Sequence, residues 1–197
     1  MSIVETPARG AHIADPGPLG LAAFALTTFV LSLVNSNILH APVEPVVFGL
    51  ALAYGGIVQA IAGIWEFTKG NVFGATAFLS FGAFWVSFWY LTGHTDLSGG
   101  GKELHQGIGA FLLGWAIFTL IMTIGATRVT NVVLTVFVLL TITFFFLSFG
   151  EFWEKDTLTH IGGYFGLATA AAAWYGTLAG VTNSTYKDTV LPVGPRA

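Results

Sequence analysis

Residues 55–85 read GGIVQAIAGIWEFTKGNVFGATAFLSFGAFW, and this stretch decides how the chain folds. It is the end of one apolar segment, a polar break at residues 69–71, and most of the next apolar segment. Gly, Ala, Ser, Thr and Gln recur where a helix bathed in lipid carries Leu, Ile or Val. A bilayer penalises such groups unless they face protein or a water-filled path. The stretch therefore reads as two membrane helices that line something.

Composition agrees. Of 197 residues, 54% are hydrophobic and 9% charged, where a soluble domain carries about 25% charged. With 18 Phe, the chain is expected to be an integral membrane protein. Seven Lys and Arg against ten Asp and Glu leave no basic patch for nucleic acid. The absence of Cys removes disulfides, thiolate nucleophiles and Cys metal sites.

A helix needs about 20 mostly apolar residues to cross the hydrocarbon core. Six stretches approach or meet that length: 19–34, 46–67, 72–91, 107–126, 129–149 and 160–179. Short breaks with turn or charge signals separate them, among them Pro42 and Pro45, Lys69-Gly70-Asn71, the three glycines at 99–101, and Glu154-Lys155-Asp156. Runs such as VLTVFVLLTITFFFLSF are continuous, not alternating, which excludes a β-barrel. The expected fold is all-α: a polytopic membrane protein with six transmembrane helices over 19–180. Residues 1–18 and 181–197 are expected as tails. Six spans put both ends on one side. Arg9, Lys69, Arg128, Lys187 and Arg196 share that side against Lys102 and Lys155 on the other, so both termini are expected in the cytoplasm.

The candidates for chemistry are few. No carboxylate lies in the middle of a span; Glu66 and Glu151 are near span ends. Proton relays usually hold an ionisable group at depth, so the expected path is polar but uncharged. No Lys is at mid-span for a Schiff base, and no two of the five His are at helical spacing, so no cofactor or metal is expected. No nucleophile and base meet at depth, so the chain is not expected to be an enzyme.

In the third span Thr76, Ser80, Ala83 and Ser87 fall on one helical face, flanked by Phe84. Such a strip serves either close helix packing or a narrow solute path. Gly49, Gly56 and Gly63 recur every seven residues and suit close packing of helices or subunits. Gln59 is the deepest amide, a solute ligand or a cross-link between helices; Asn71 is placed as a helix N-cap. The six Trp lie mostly toward span ends, as an interfacial belt would have them.

The stretch DPGPLGL at Asp15 to Leu21, the 55–85 region, GGYFGLATA from Gly162 and AWY from Ala173 together resemble the acetate uptake transporter family, across essentially the whole chain. The family pattern opens Asn-Pro-Ala-Pro-Leu-Gly-Leu; here Asp15 replaces the Asn and Gly17 the Ala. The resemblance implies six helices per subunit, a homohexamer in the lipid bilayer, and a pore for acetate or a similar small carboxylate in each subunit. It also implies a pore constriction of a Phe, a Tyr and a Leu, which falls on Phe24, Phe81 and Leu140. Phe81 departs from the family Tyr and makes the constriction drier. Thr76, Ser80, Gln59, Asn71, Phe84 and Ser87 are then expected along the pore.

The expected function is a membrane channel or transporter for acetate and related small monocarboxylates, succinate among the possible substrates. Passage of ammonia or another small neutral solute is the alternative within transport, and a sensor or scaffold that carries no solute is the alternative outside it. In a bacterium the location would be the inner membrane.

Overall fold

The computed structural model describes residues 13–196. Residues 1–12, including Glu5, Arg9 and His12 of the expected N-terminal tail, and Ala197 lie outside the described residues. Six long helices follow one another: α1 Gly17–Asn35, α2 Pro45–Lys69, α3 Val72–His94, α4 Gly101–Ala126, α5 Asn131–Phe152 and α6 Asp156–Tyr186. Each contains one of the six apolar stretches, except that α5 starts two residues inside the stretch 129–149. Helix is the form in which an apolar segment satisfies its own backbone without water. α1 to α5 are long and apolar enough to cross a membrane. α6 carries Gly, Ala, Thr and Tyr in place of many large aliphatics, and it packs along both α1 and α5.

Local chemistry sets the ends. Asn71 caps α3 by accepting from the Gly74 N–H at 3.1 Å, and Thr130 caps α5 by accepting from the Val133 N–H at 3.1 Å. Gly70 closes α2 at φ 79°, a left-handed conformation that suits glycine. Within the helices Thr27, Thr119, Thr141 and Thr169 donate to the carbonyl four residues back, at 2.7–2.9 Å. Their hydroxyls are thereby satisfied in apolar surroundings.

Helix ends differ most from the sequence expectation at two helices. α4 begins at Gly101 rather than 107, and α6 runs past both ends of 160–179. The first turns of both are largely exposed, so the helix continues where the apolar stretch has stopped. The boundary expected at 181 therefore falls inside α6. Beyond it the chain reverses at Lys187 (φ 57°) and returns to the start of α5. Asn183 Oδ1 accepts from the N–H groups of Val190 and Leu191, both at 2.9 Å. The Asn131 N–H donates to Gly194 O at 2.7 Å, and Arg196 Nε to Thr127 O at 3.0 Å. The C-terminal residues are a docked segment, not a trailing tail.

The helices form a ring in the order α3, α2, α1, α6, α5, α4. α3 and α4 close it with sparse backbone contact, bridged by ring pairs such as Phe84 with Trp115 at 5.2 Å and Phe81 with Phe118 at 5.6 Å. On the α2–α3 seam a Cβ at Gly63 would lie 2.7 Å from Leu79, so glycine permits that approach. Gly49, by contrast, meets nothing within 4 Å. α2 winds as a π-helix over Ala51–Val58, and these wider turns shift the seven-residue register off the seam. A Cβ at Gly55 would fall 2.7 Å from Thr27 Oγ1 and 2.9 Å from the Trp85 ring, which fixes how tightly α2 presses on α1 and α3.

Candidate functional site

The inside of the ring holds four hollows in a row. Asp15, Glu66, Asn71 and Val193 line a vestibule of about 420 Å³ on the side of the two described chain ends. Leu21, Phe73 and Val133 are shared between it and an inner cavity of about 60 Å³, which adds Gln59 and Ala77. Phe24, Phe81 and Leu140 are shared between that cavity and a second inner one of about 30 Å³, which adds Thr28, Trp85 and Thr143. Leu31, Phe84 and Leu147 lead on to an opposite vestibule of about 350 Å³, where Glu44, Thr92 and Glu151 stand.

Helical periodicity explains the arrangement. Leu21 and Ala77 stand one turn before Phe24 and Phe81; Thr28 and Trp85 stand one turn after them. Residues three or four apart share a face, so Phe24 and Phe81 stand between the two cavities. Phe24, Phe81 and Leu140 are 5%, 3% and 3% exposed. The Phe24 and Phe81 ring centroids are 5.8 Å apart, and Phe81 also meets Trp115, Phe118, Phe137 and Phe144 at 5.6–6.4 Å. With a phenyl at position 81, the plug between the cavities is wholly apolar.

Polar atoms sit on both sides of that plug. Among the described residues three buried side-chain atoms have no hydrogen-bond partner: Gln59 Oε1, Thr28 Oγ1 and Trp85 Nε1. Each belongs to a residue lining an inner cavity, Gln59 on the termini side and the other two on the opposite side. In the termini-side vestibule Glu66 is 2% exposed. Asn71 Nδ2 donates to its Oε2 at 2.9 Å while Asn71 Oδ1 caps α3. Lys69 Nζ donates to Asp15 Oδ1 at 3.0 Å, an ion pair at the rim. At the opposite mouth His105 Nδ1 lies 2.7 Å from Glu151 Oε2, and burial pushes the Glu44 carboxyl above the usual range.

Not every expected position lies on this row. Ser80 and Ala83 line a groove between α3 and α4 together with Gly114 and Trp115. Ser87 is exposed and Thr76 half-buried, and neither lines any of the four hollows. α3 presents Phe81, Phe84 and Trp85 inward, and the hydroxyl strip lies toward its flank and outer surface. Trp85, expected at an interface, is buried beside the second cavity. Sequence reading missed Thr28 and Trp85, although their i+4 spacing from Phe24 and Phe81 carries the signal. Among the described residues no group of His, Asp and Glu is placed to hold a metal.

A solved structure described as the bacterial acetate channel SatP superposes with a TM-score of 0.84 at 35% identity, covering 92% of this chain and 99% of that one. Residues 3–195 match the model of the GPR1/FUN34/yaaH family. The chain belongs to this family. Its GPR1/FUN34/yaaH relatives include the succinate-acetate/proton symporter SatP of Escherichia coli K12, 35% identical over 182 residues, or 92% of this chain and 96% of the relative. Acetate permease A of Emericella nidulans is 40% identical over 195 residues, 91% of this chain and 65% of that protein. The chain spans 64% to 69% of the length of three fungal relatives it matches. Membership of this transporter and channel family makes the chain a multi-pass membrane protein.

Proposed function

We propose that this protein passes acetate and related small monocarboxylates across the membrane. The observation that carries the reading is the row of hollows interrupted at one apolar plug of Phe24, Phe81 and Leu140. The name of the E. coli relative and the structural likeness to an acetate channel supply the substrate class. A water fills about 10–15 Å³ by the same kind of volume, so inner cavities of about 60 and 30 Å³ suit a solute of a few heavy atoms.

The solute gathers in a vestibule, sheds most of its water at an inner cavity and crosses the plug as the rings part. An apolar constriction gates by dewetting, so small enlargements raise flux steeply. On the termini side Gln59 offers an amide in place of lost water. Asn71 holds Glu66 and the start of α3 at the vestibule wall; Phe84 shapes the way out. The Lys and Arg bias supports an orientation with both ends in the cytoplasm of an inner membrane. The exposed apolar face of α4, with Ile117, Ile121 and Ile124, suits lipid or a neighbour in a homohexamer.

The test is uptake of labelled acetate into liposomes holding the purified protein, with and without an imposed pH gradient, against propionate, succinate and ammonium as competitors. Saturable uptake above protein-free liposomes, competed by propionate, is the expected result. Uptake at the protein-free rate, or ammonia flux without acetate flux, refutes the reading.

A further inference from the structure

The residues that follow α6 are held in a way that sets them apart from the rest of the chain. None of residues 188–196 is buried: Leu191, Val193 and Gly194 are half-buried and the others exposed. Hydrogen bonds from two helices hold them instead of apolar contact. Near the end of α6, Asn183 meets them with both ends of its amide. Its Oδ1 accepts from the Val190 and Leu191 N–H groups, both at 2.9 Å, and its Nδ2 donates to Leu191 O at 2.8 Å. The Tyr175 hydroxyl donates to Pro192 O at 2.8 Å. At the start of α5 the Asn131 and Val132 N–H groups donate to Gly194 O at 2.7 Å and Val193 O at 3.3 Å. The first N–H groups of a helix have no partner within it, so these residues cap α5. Gly194 permits the fit: its φ is 63°, and a Cβ there would run into the Asn131 side chain.

We propose that residues 188–196 are a releasable strap on α5: docked, it holds that helix where the plug is closed, and released as one piece it lets the plug open more readily. The strap's Val193 lines the termini-side vestibule together with Val132 and Val133 of α5. Val133, Val136, Phe137 and Leu140 then continue along the wall of the first inner cavity to the plug. Asn131 lies roughly 14 Å from Leu140 along a helix that rises 1.5 Å per residue, so the helix itself carries a shift at the strap to the constriction. Release exchanges hydrogen bonds for bonds to water and exposes little apolar surface, so its net cost is small. Segments with exposed hydrogen bonds and few buried apolar contacts are the ones that open locally. Pro192 and Pro195 limit the freedom the released strap gains and favour its return. The effect on flux rests on the transport reading; the docking equilibrium does not.

Hydrogen exchange of the protein in detergent, read by NMR, reports the strap, and uptake into liposomes reports its consequence. Asn183→Ala removes the side chain that holds Val190 and Leu191. If the strap releases as a unit, the Asn131 and Val132 amides, which Asn183 does not touch, should also exchange roughly tenfold faster or more, as loss of two or three hydrogen bonds implies. Acceleration confined to residues 190 and 191 overturns the strap as a unit. Thr130 and Pro195 are antiparallel bridge partners, a pairing that sets Cα atoms about 4.5–5.5 Å apart, within reach of a disulfide. In a chain without Cys, Thr130→Cys with Pro195→Cys therefore makes a lock that a reductant opens, and both states are compared in one protein. Labelled acetate uptake should be several-fold lower in the oxidised form than in the reduced form, while the parent ignores both treatments, and Asn183→Ala should take up acetate faster than the parent. Equal uptake by locked and unlocked protein overturns the strap's control of the plug while transport stands. Absence of uptake by the parent refutes transport instead, and the exchange of Asn131 and Val132 still decides whether the strap releases as one piece.

Discussion

Phe81→Ala is the perturbation that separates a gate from mere packing. Phe81 is 3% exposed, touches five other rings and lines both inner cavities, so its removal joins them. Hydrogen bonds to charged groups are worth about 1.5–3 kcal/mol each. If the widened neck lets one water stay with the carboxylate, the barrier drops by about that amount. At about 1.4 kcal/mol per factor of ten, acetate flux rises roughly ten- to a hundredfold. The same change costs about 3–5 kcal/mol of packing, so a folded fraction is measured beside flux by thermal unfolding in detergent. Phe81→Leu, a smaller loss, should give an intermediate gain. The assay is the initial rate of labelled acetate uptake into liposomes per folded protein. An unchanged or lower rate in folded Phe81→Ala refutes the gate.

Three further outcomes follow from the geometry. Gln59→Leu removes a buried amide whose Oε1 has no partner, so thermal stability should hold or rise by up to about 1–3 kcal/mol while acetate flux falls; a fall in both measurements would make Gln59 structural. Ser80→Ala and Ser87→Ala should leave flux within about twofold, because neither side chain lines the row of hollows; a large loss in liposomes would restore the hydroxyl strip to the pathway. Glu44 stands at the opposite mouth, and burial raises its pKa from the ordinary carboxylate value. Glu44→Gln should lower the KM for acetate presented from that side about two- to fivefold at pH 7, as expected for one screened like charge. The difference should vanish as the pH falls through the raised pKa, and a pH-independent difference would show that charge is not the cause.

Much of the fold was legible because lipid imposes it. Apolar length gave the six helices, and Asn71 between Gly70 and Val72 announced the cap that it makes. Family motifs set the register that makes Phe24 and Phe81 the expected constriction, and both side chains line the two inner cavities. The hydroxyl strip stayed ambiguous for a physical reason. Small polar residues mark close packing and pore walls alike, and only the position of α4 beside α3 tells them apart. Gly49 left the seam because the π-helical turns of α2 change the angle per residue, which no seven-residue count anticipates. Trp85 was grouped with the six Trp that lie mostly toward span ends, although its place one turn after Phe81 put it inside. The docking of residues 187–196 depends on long-range partners, Thr127 and Asn131, that local sequence does not reveal.

The chain has no Cys, so a single one can be placed on the proposed path without background. The direct test is labelled acetate uptake by Leu140→Cys liposomes before and after treatment with a small charged methanethiosulfonate, with modification verified by mass. If solute passes between Phe24, Phe81 and Leu140, the modified protein should lose nearly all uptake while the treated parent keeps its own. Undiminished uptake in fully modified Leu140→Cys protein would contradict the account, because solute would then be crossing elsewhere.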